Sequence, residues 1–238
     1  MVAKGQIKLI RSLHQKKYRN QNGLFVVEGI KGVNEVLRSR IKPYAVYGVN
    51  ADLLDDDTIF TRVSERELAQ MSALKSPNGI LGVFHVPEEK EIDFSDWVLV
   101  LDDVRDPGNL GTIIRLCDWF GIAHLVCSQK TVDCYNPKVL QATMGSITRV
   151  NIVYRNIADF LDQCPTPIYG AFMNGVSAYS EELPQNGILI MGNEAHGISK
   201  EIEQLVSKKI SIPQFGKHTT ESLNVATATA ILLNEIRR

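Results

Sequence analysis

The chain has 238 residues, 44% of them hydrophobic and 22% charged, with a formal net charge of −1. This is the profile of an ordinary soluble globular protein with room for one large domain or two small ones. The opening residues are polar and basic rather than signal-like, and no run approaches the roughly 18 apolar residues of a spanning helix, so a cytoplasmic protein is expected.

The charge is unevenly spread. Residues 1–45 hold ten lysines and arginines against Glu28 and Glu35, which leaves sixteen basic against twenty-five acidic residues in the remainder. A basic end on a near-neutral chain is a cue for phosphate binding, although a solvated basic face gives the same pattern. The four cysteines, Cys117, Cys127, Cys134 and Cys164, form no C-x-x-C pair and no zinc-spaced cluster. Reduced structural thiols and no metal are expected.

In chain order, Gly5–Asn22 carries Leu9, Ile10 and Leu13 on one helical face and ends at an Asn-Gly turn. Leu24–Val27 reads as a strand, Ile30–Arg38 as a helix, and Tyr44–Val49 and Thr58–Val63 as strands. Ser64-Glu-Arg-Glu67 fits a capping box opening a helix to about Leu74, and Ile80–Val86 is another strand. The acidic stretch Pro87–Ser95 lacks an apolar period. The expected organisation is a first domain over 1–87, a linker over 88–95 and a second domain over 96–238.

In the second domain the strands are near-continuous apolar runs, at Trp97–Leu101, His124–Cys127, Val150–Val153, Ile168–Phe172 and Gly187–Met191. Strands covered on both faces read this way. Helical patterns alternate with them at Asn109–Phe120, Asn136–Met144, Asn156–Asp162, Ile198–Val206 and Ser222–Ile236. The pattern predicts a parallel α/β domain.

Three glycine-containing segments follow strands of this domain, where parallel α/β sheets bind their ligands. In Asp106-Pro-Gly-Asn-Leu-Gly111, Asn109 can cap the helix and Gly111 permits close approach. Arg115, inside an apolar helix, needs either an ion-pair partner or a function. The second segment, Gly187–Ser199, contains Glu194, which can accept hydrogen bonds, and His196, which in a turn is ordinarily polar structure. It matches neither a dinucleotide fingerprint nor a phosphate loop, which disfavours a nucleotide-dependent enzyme. In the third, Ile210–Gly216 followed by Glu221–Val225, Ser222 or Asn224 can cap the last helix.

Taken in order, these segments resemble the three motifs of the SpoU/TrmH family, within the knotted SPOUT methyltransferases. The chain reads N-L-G-T-I-I-R-L-C-D-W-F-G, then M-G-N-E-A-H-G-I-S, then I-P-Q-F-G with S-L-N-V-A-T-A-T-A. The resemblance spans about 96–238, and 5–86 looks like the L30e-like RNA-binding domain often found ahead of it. It departs where Gln214 replaces the family methionine and where Phe215–Glu221 is about two residues longer.

The resemblance implies a trefoil-knotted domain and a homodimer formed through it. It implies S-adenosylmethionine-dependent methylation of a ribose 2′-hydroxyl in structured RNA, with ribosomal RNA favoured over transfer RNA by the separate N-terminal domain. Asn109, Arg115, Glu194, Ser222 and Asn224 match the family's catalytic positions; Met191, Gly192, Ile212, Leu223 and Asn224 match those around the cofactor. Lys8, Arg11, Lys16, Lys17 and Arg19 are the expected RNA phosphate contacts. The competing reading is a non-catalytic RNA-binding or ribosome-assembly protein on the same fold.

Overall fold

The computed structural model describes residues 2–54, 59–216 and 222–238. They form two compact units: residues 1–88 with 133–148, and residues 89–132 with 149–238. In sequence 133–148 lies within the second expected domain, but it packs with the first unit.

The first unit opens with two helices, α1 (Lys4–Ser12) and α2 (Lys16–Asn22). The single helix expected over Gly5–Asn22 is broken at Leu13–Gln15. The Arg19 guanidinium fills the break, donating to the Leu13 carbonyl at 2.8 Å and pairing with the Asp133 carboxylate. Arg19 is 3% exposed. This corrects its expected place among the RNA contacts, because its charge is spent inside the protein. Gly23 ends α2 in the left-handed conformation, φ +61°, where glycine carries no Cβ penalty.

The strands are β1 (Leu24–Glu28), β2 (Pro43–Gly48), β3 (Phe60–Arg62) and β4 (Ile80–His85), in the order β1-β4-β2-β3. β4 runs antiparallel to both neighbours and β2 runs parallel to β3. Thr58, in the expected third strand, lies outside the described residues. The helices are α3 (Ile30–Leu37) and α4 (Glu65–Met71). The capping box forms: Ser64 Oγ accepts from the Glu67 amide, and the Glu67 carboxylate accepts from the Ser64 and Val2 amides. Those donors hold the Glu67 carboxyl down at about 2. Ile10, Leu13, Val26, Leu68, Met71 and Leu81 lie in one core.

The second unit is a six-stranded, wholly parallel sheet. Its strands are β5 (Val98–Leu101), β6 (His124–Ser128), β7 (Asn151–Arg155), β8 (Ile168–Ser177), β9 (Ile188–Met191) and β10 (Lys208–Ser211). The order is β10-β8-β9-β5-β6-β7. Each strand that the apolar runs predicted is present. β10 interrupts that rule because Lys208 and Lys209 open an edge strand paired to β8 alone, where they meet Glu181 and Glu203. β8 runs five residues past its apolar part, and Gly175 lets β10 lie against it; a Cβ there would stand 2.6 Å from the Ile210 backbone.

The helices are α5 (Pro107–Trp119), α6 (Pro137–Thr143, in the first unit), α7 (Ile157–Asp162), α8 (Lys200–Glu203) and α9 (Val225–Ile236). α8 is shorter than its pattern suggested. The Asp102 carboxylate takes the Ser199 amide at its start, and the Ile168 carbonyl takes the Ser207 amide soon after its end. The acidic stretch before β5 is irregular but tied down: Lys90 exchanges hydrogen bonds with the Asn151 side chain, and the Phe94 and Phe160 rings stack at 6.0 Å. All four cysteines are free thiols, and burial pushes the Cys117 thiol far up. Among the described residues no helix is long and apolar enough to cross a membrane.

Candidate active site

The site begins with two adjacent parallel strands. Leu101, ending β5, pairs with Met191, ending β9, and the Asp102 amide still donates to the Met191 carbonyl at 2.9 Å. The first two glycine segments therefore leave the sheet side by side.

The loop after β9 closes on itself. Asn193 and Gly197 exchange backbone hydrogen bonds of 2.9 Å, and Gly197 takes a φ of +69°. A Cβ on Gly192 would come within 2.2 Å of the Gly197 and Ile198 backbone, so no side chain fits there. Asn193 holds the turn from within. Its Oδ1 accepts from the Ala195 and His196 amides, and its Nδ2 donates to the Asp103 carbonyl at 2.7 Å. His196 thus enters through its backbone, the structural role expected of a histidine in a turn. Glu194 is left exposed at the tip.

The loop after β5 is built around Asp103, a non-glycine residue at φ +62°. Such conformations cost energy and persist where surroundings impose them. Here Ser128 Oγ takes the Asp103 amide, while Arg105 grips its carboxylate through Nε at 2.9 Å and a terminal nitrogen at 2.8 Å. That guanidinium holds the Asp103 carboxyl below the usual carboxylate range.

Asp106, rather than the expected Asn109, caps α5, accepting from the Asn109 amide at 2.8 Å with Pro107 at the first helical position. Proline has no amide to orphan there. The Asn109 side chain is consequently available for other contacts. Its Nδ2 donates to Glu194 at 3.0 Å, and its Oδ1 accepts from Asn224 Nδ2 at 2.9 Å. Asn224, not Ser222, caps α9 through the amides of Ala226 and Thr227. One row of side chains, Glu194–Asn109–Asn224, therefore joins the three segments.

α9 buries Val225, Ala226, Thr229, Leu232 and Leu233, a helical stripe, and packs along α5, where Gly111 is buried. Met191 is buried, Ile212 is half-buried and Leu223 is exposed. Ile212 leaves β10, which with β8 and β9 belongs to the same parallel edge, so it emerges at the carboxyl end as Met191 does.

Arg115 stands apart from this row. Six residues beyond Asn109, it lies roughly 9 Å along the helix and roughly 120° around it. It is exposed and has no ion-pair partner among the described residues. Trp119, one turn further on the same face, is 84% exposed. Lys8, Arg11, Lys16 and Lys17 are exposed on α1 and α2.

Sequence reasoning missed Asp102, Asp103, Arg105 and Asn193. The dense charged run Asp102-Asp103-Val-Arg-Asp106, wedged between an apolar strand and a helix-opening proline, was the available signal.

A fold of this parallel topology, with three loops converging on amide and carboxylate side chains, defines an α/β ligand-binding enzyme core. Residues 96–234 match the SpoU rRNA Methylase family, and residues 4–82 match the MRM3-like substrate binding domain. The chain belongs to the SpoU rRNA methylase family. It is 34% identical to the 23S rRNA (guanosine(2553)-2′-O)-methyltransferase RlmP of Bacillus subtilis (strain 168), across 99% of this chain and 97% of that one. A solved structure from Porphyromonas gingivalis, assigned to the TrmH family of RNA methyltransferases, superposes with a TM-score of 0.90 at 37% identity, covering 100% of this chain and 98% of that one. The AdoMet-bound rRNA methyltransferase from Sinorhizobium meliloti gives 0.87 at 28% identity, covering 100% and 95%.

Proposed function

We propose that this chain methylates a ribose 2′-hydroxyl of ribosomal RNA, using S-adenosylmethionine. The observation that carries the reading is the Glu194–Asn109–Asn224 row, which brings three distant motifs to one place. RlmP acts on 23S rRNA, and its likeness over nearly the whole of both chains supports an RNA substrate here.

The donor would lie among Met191, Gly192, Ile212, Leu223 and Asn224. The side-chain-free turn at Gly192 and the half-buried Ile212 suit a ligand recognised through main-chain groups and apolar contact. When bound, the donor supplies an already activated methyl group. What remains for the protein is to position the ribose and accommodate the charge its oxygen develops. Asn109, held from both sides, orients the site, and Ser222 borders it. Arg115 is assigned an electrostatic role: its guanidinium binds the acceptor's phosphate or ribose and stabilises the alkoxide. The hydroxyl proton leaves to solvent.

The exposed Arg115–Trp119 face of α5 supports a homodimer in which that face is covered. The family resemblance supports the trefoil knot and the L30e-like fold of the N-terminal part, with 1–87, 88–95 and 96–238 as divisions along the sequence while 133–148 packs with the first unit. Lys8, Arg11, Lys16 and Lys17 are the proposed phosphate contacts, and affinity for RNA should fall as salt rises. The likeness to a bacterial 23S rRNA methyltransferase supports a cytoplasmic location.

The test is to map 2′-O-methyl groups in ribosomal RNA from cells with and without this protein, and to restore the missing one with purified protein and S-adenosylmethionine. A single nucleotide should lose and regain its methyl group. An unchanged methylation map overturns the reading.

A further inference from the structure

The first unit contains a cavity of about 500 Å³ where β1 ends, α3 begins and α6 lies opposite. This is within the ~300–1,000 Å³ typical of small-ligand sites. No catalytic motif contributes to it.

Its walls are apolar, with large side chains left open at the rim. Ile30 is 43% exposed and Met144 44% exposed. Met144 is held there by a left-handed backbone, φ +52°, followed by Gly145 at +97°. A Cβ on Gly145 would lie 2.7 Å from that of Glu35, so the end of α6 lies hard against α3 and the Met144 position is imposed. Apolar groups exposed around a concavity mark a binding surface.

The polar groups are few. Glu28 is already occupied, its carboxylate accepting from the Ser72 hydroxyl and the Ala73 amide. Asn78 and Gln141 line the cavity as exposed amides with no hydrogen-bond partner among the described residues. Lys31 brings a positive charge to the wall, within the chain's strongly basic first 45 residues.

We propose that this cavity receives one unstacked nucleobase of the RNA substrate. Ile30 and Met144 would cover the flat faces of the base, Asn78 and Gln141 would read its edge, and Lys31 would meet the adjoining phosphate. A base paired in a duplex has both its faces and its edge engaged, so the site selects single-stranded or bulged RNA. The proposal rests on the RNA-modifying reading above and gives that substrate a feature the reading does not contain.

The ¹⁵N-labelled full chain is titrated with a random-sequence single-stranded RNA hexamer and, separately, with a blunt RNA duplex. The hexamer should shift the amide signals of Leu74, Asn78, Gln141 and Met144, and the duplex should not. Gln141→Trp, at an exposed position on α6, should abolish those shifts by filling the cavity. Asn78→Ala should weaken hexamer binding about ten-fold, the scale of one buried hydrogen bond. Shifts confined to α1 and α2, or equal shifts with the duplex, overturn the proposal. So do shifts on raising protein concentration without RNA, which would seat a second copy of the chain there. No methyl donor is present, so failure to methylate ribosomal RNA sinks the functional reading while the titration still decides the cavity.

Discussion

Asn224 donates from its amide to Asn109 across 115 positions of sequence, at 2.9 Å, while its carbonyl oxygen caps α9. The two jobs use different atoms and can be separated. Asn224→Asp keeps the cap, since a carboxylate accepts the same amides, but loses the donor to Asn109. Its thermal stability should match wild type while methyl transfer falls about ten-fold. Asn224→Ala should lose about 1 kcal/mol of stability as well. Full activity in the aspartate variant would show that the bridge to Asn109 is dispensable.

Arg115 has no partner to lose within the described chain, so replacing it should leave folding within about 0.5 kcal/mol of wild type. Arg115→Lys should nonetheless lower kcat about 10²-fold or more, because an ammonium lacks the planar fork of a guanidinium. Turnover near wild type across pH would show that planar, bidentate geometry is not essential.

Arg19 illustrates how a residue's neighbours change its meaning. In the sequence it sits in the basic run Lys16-Lys17-Tyr-Arg19, where nothing distinguishes it from its surface neighbours. In the fold it crosses 114 positions to reach Asp133. Arg19→Met should destabilise the protein by about 3 kcal/mol by leaving the half-buried Asp133 carboxylate without its cation, and Arg19→Met with Asp133→Leu should recover much of that loss. Urea denaturation of the three proteins measures it. Equal stability of the single and double variants would disprove the coupling.

His124 opens β6 with its ring enclosed, Nε2 facing the Asp93 backbone amide and Nδ1 the Asn151 side-chain amide nitrogen, Nδ2. Burial lowers its pKa, partly opposed by Asp93 and reinforced by Lys90. The folded state therefore binds fewer protons than the unfolded one, and stability is lost as pH falls through the ordinary histidine value of about 6.5. The urea midpoint should drop between pH 7.5 and pH 5.5, and His124→Gln should flatten that drop. An identical pH slope in the variant would remove His124 from the account.

Trp119 reports on the proposed dimer. Trp97 is 2% exposed and Trp119 84% exposed in the single chain, so their fluorescence is separable. If α5 is covered by a second copy, dilution should red-shift the Trp119 emission, and Trp119→Glu should sediment as a folded monomer. A concentration-independent spectrum would leave this face uncovered.

The sequence by itself determined the alternation of elements and the positions of the reactive segments. Apolar runs such as Val98–Leu101 and Ile188–Met191 can only be satisfied in a sheet covered on both faces, and the Ser64–Glu67 box depends on residues three apart. These are local properties of the chain. The tertiary structure decided what no local pattern carries: that Asp106 caps α5 and leaves Asn109 to meet Glu194 and Asn224, that Arg19 turns inward to Asp133, and that Ile30 and Met144 flank one cavity. Each depends on groups distant in sequence becoming neighbours, and a side chain's role is set by the partners that burial and packing bring to it.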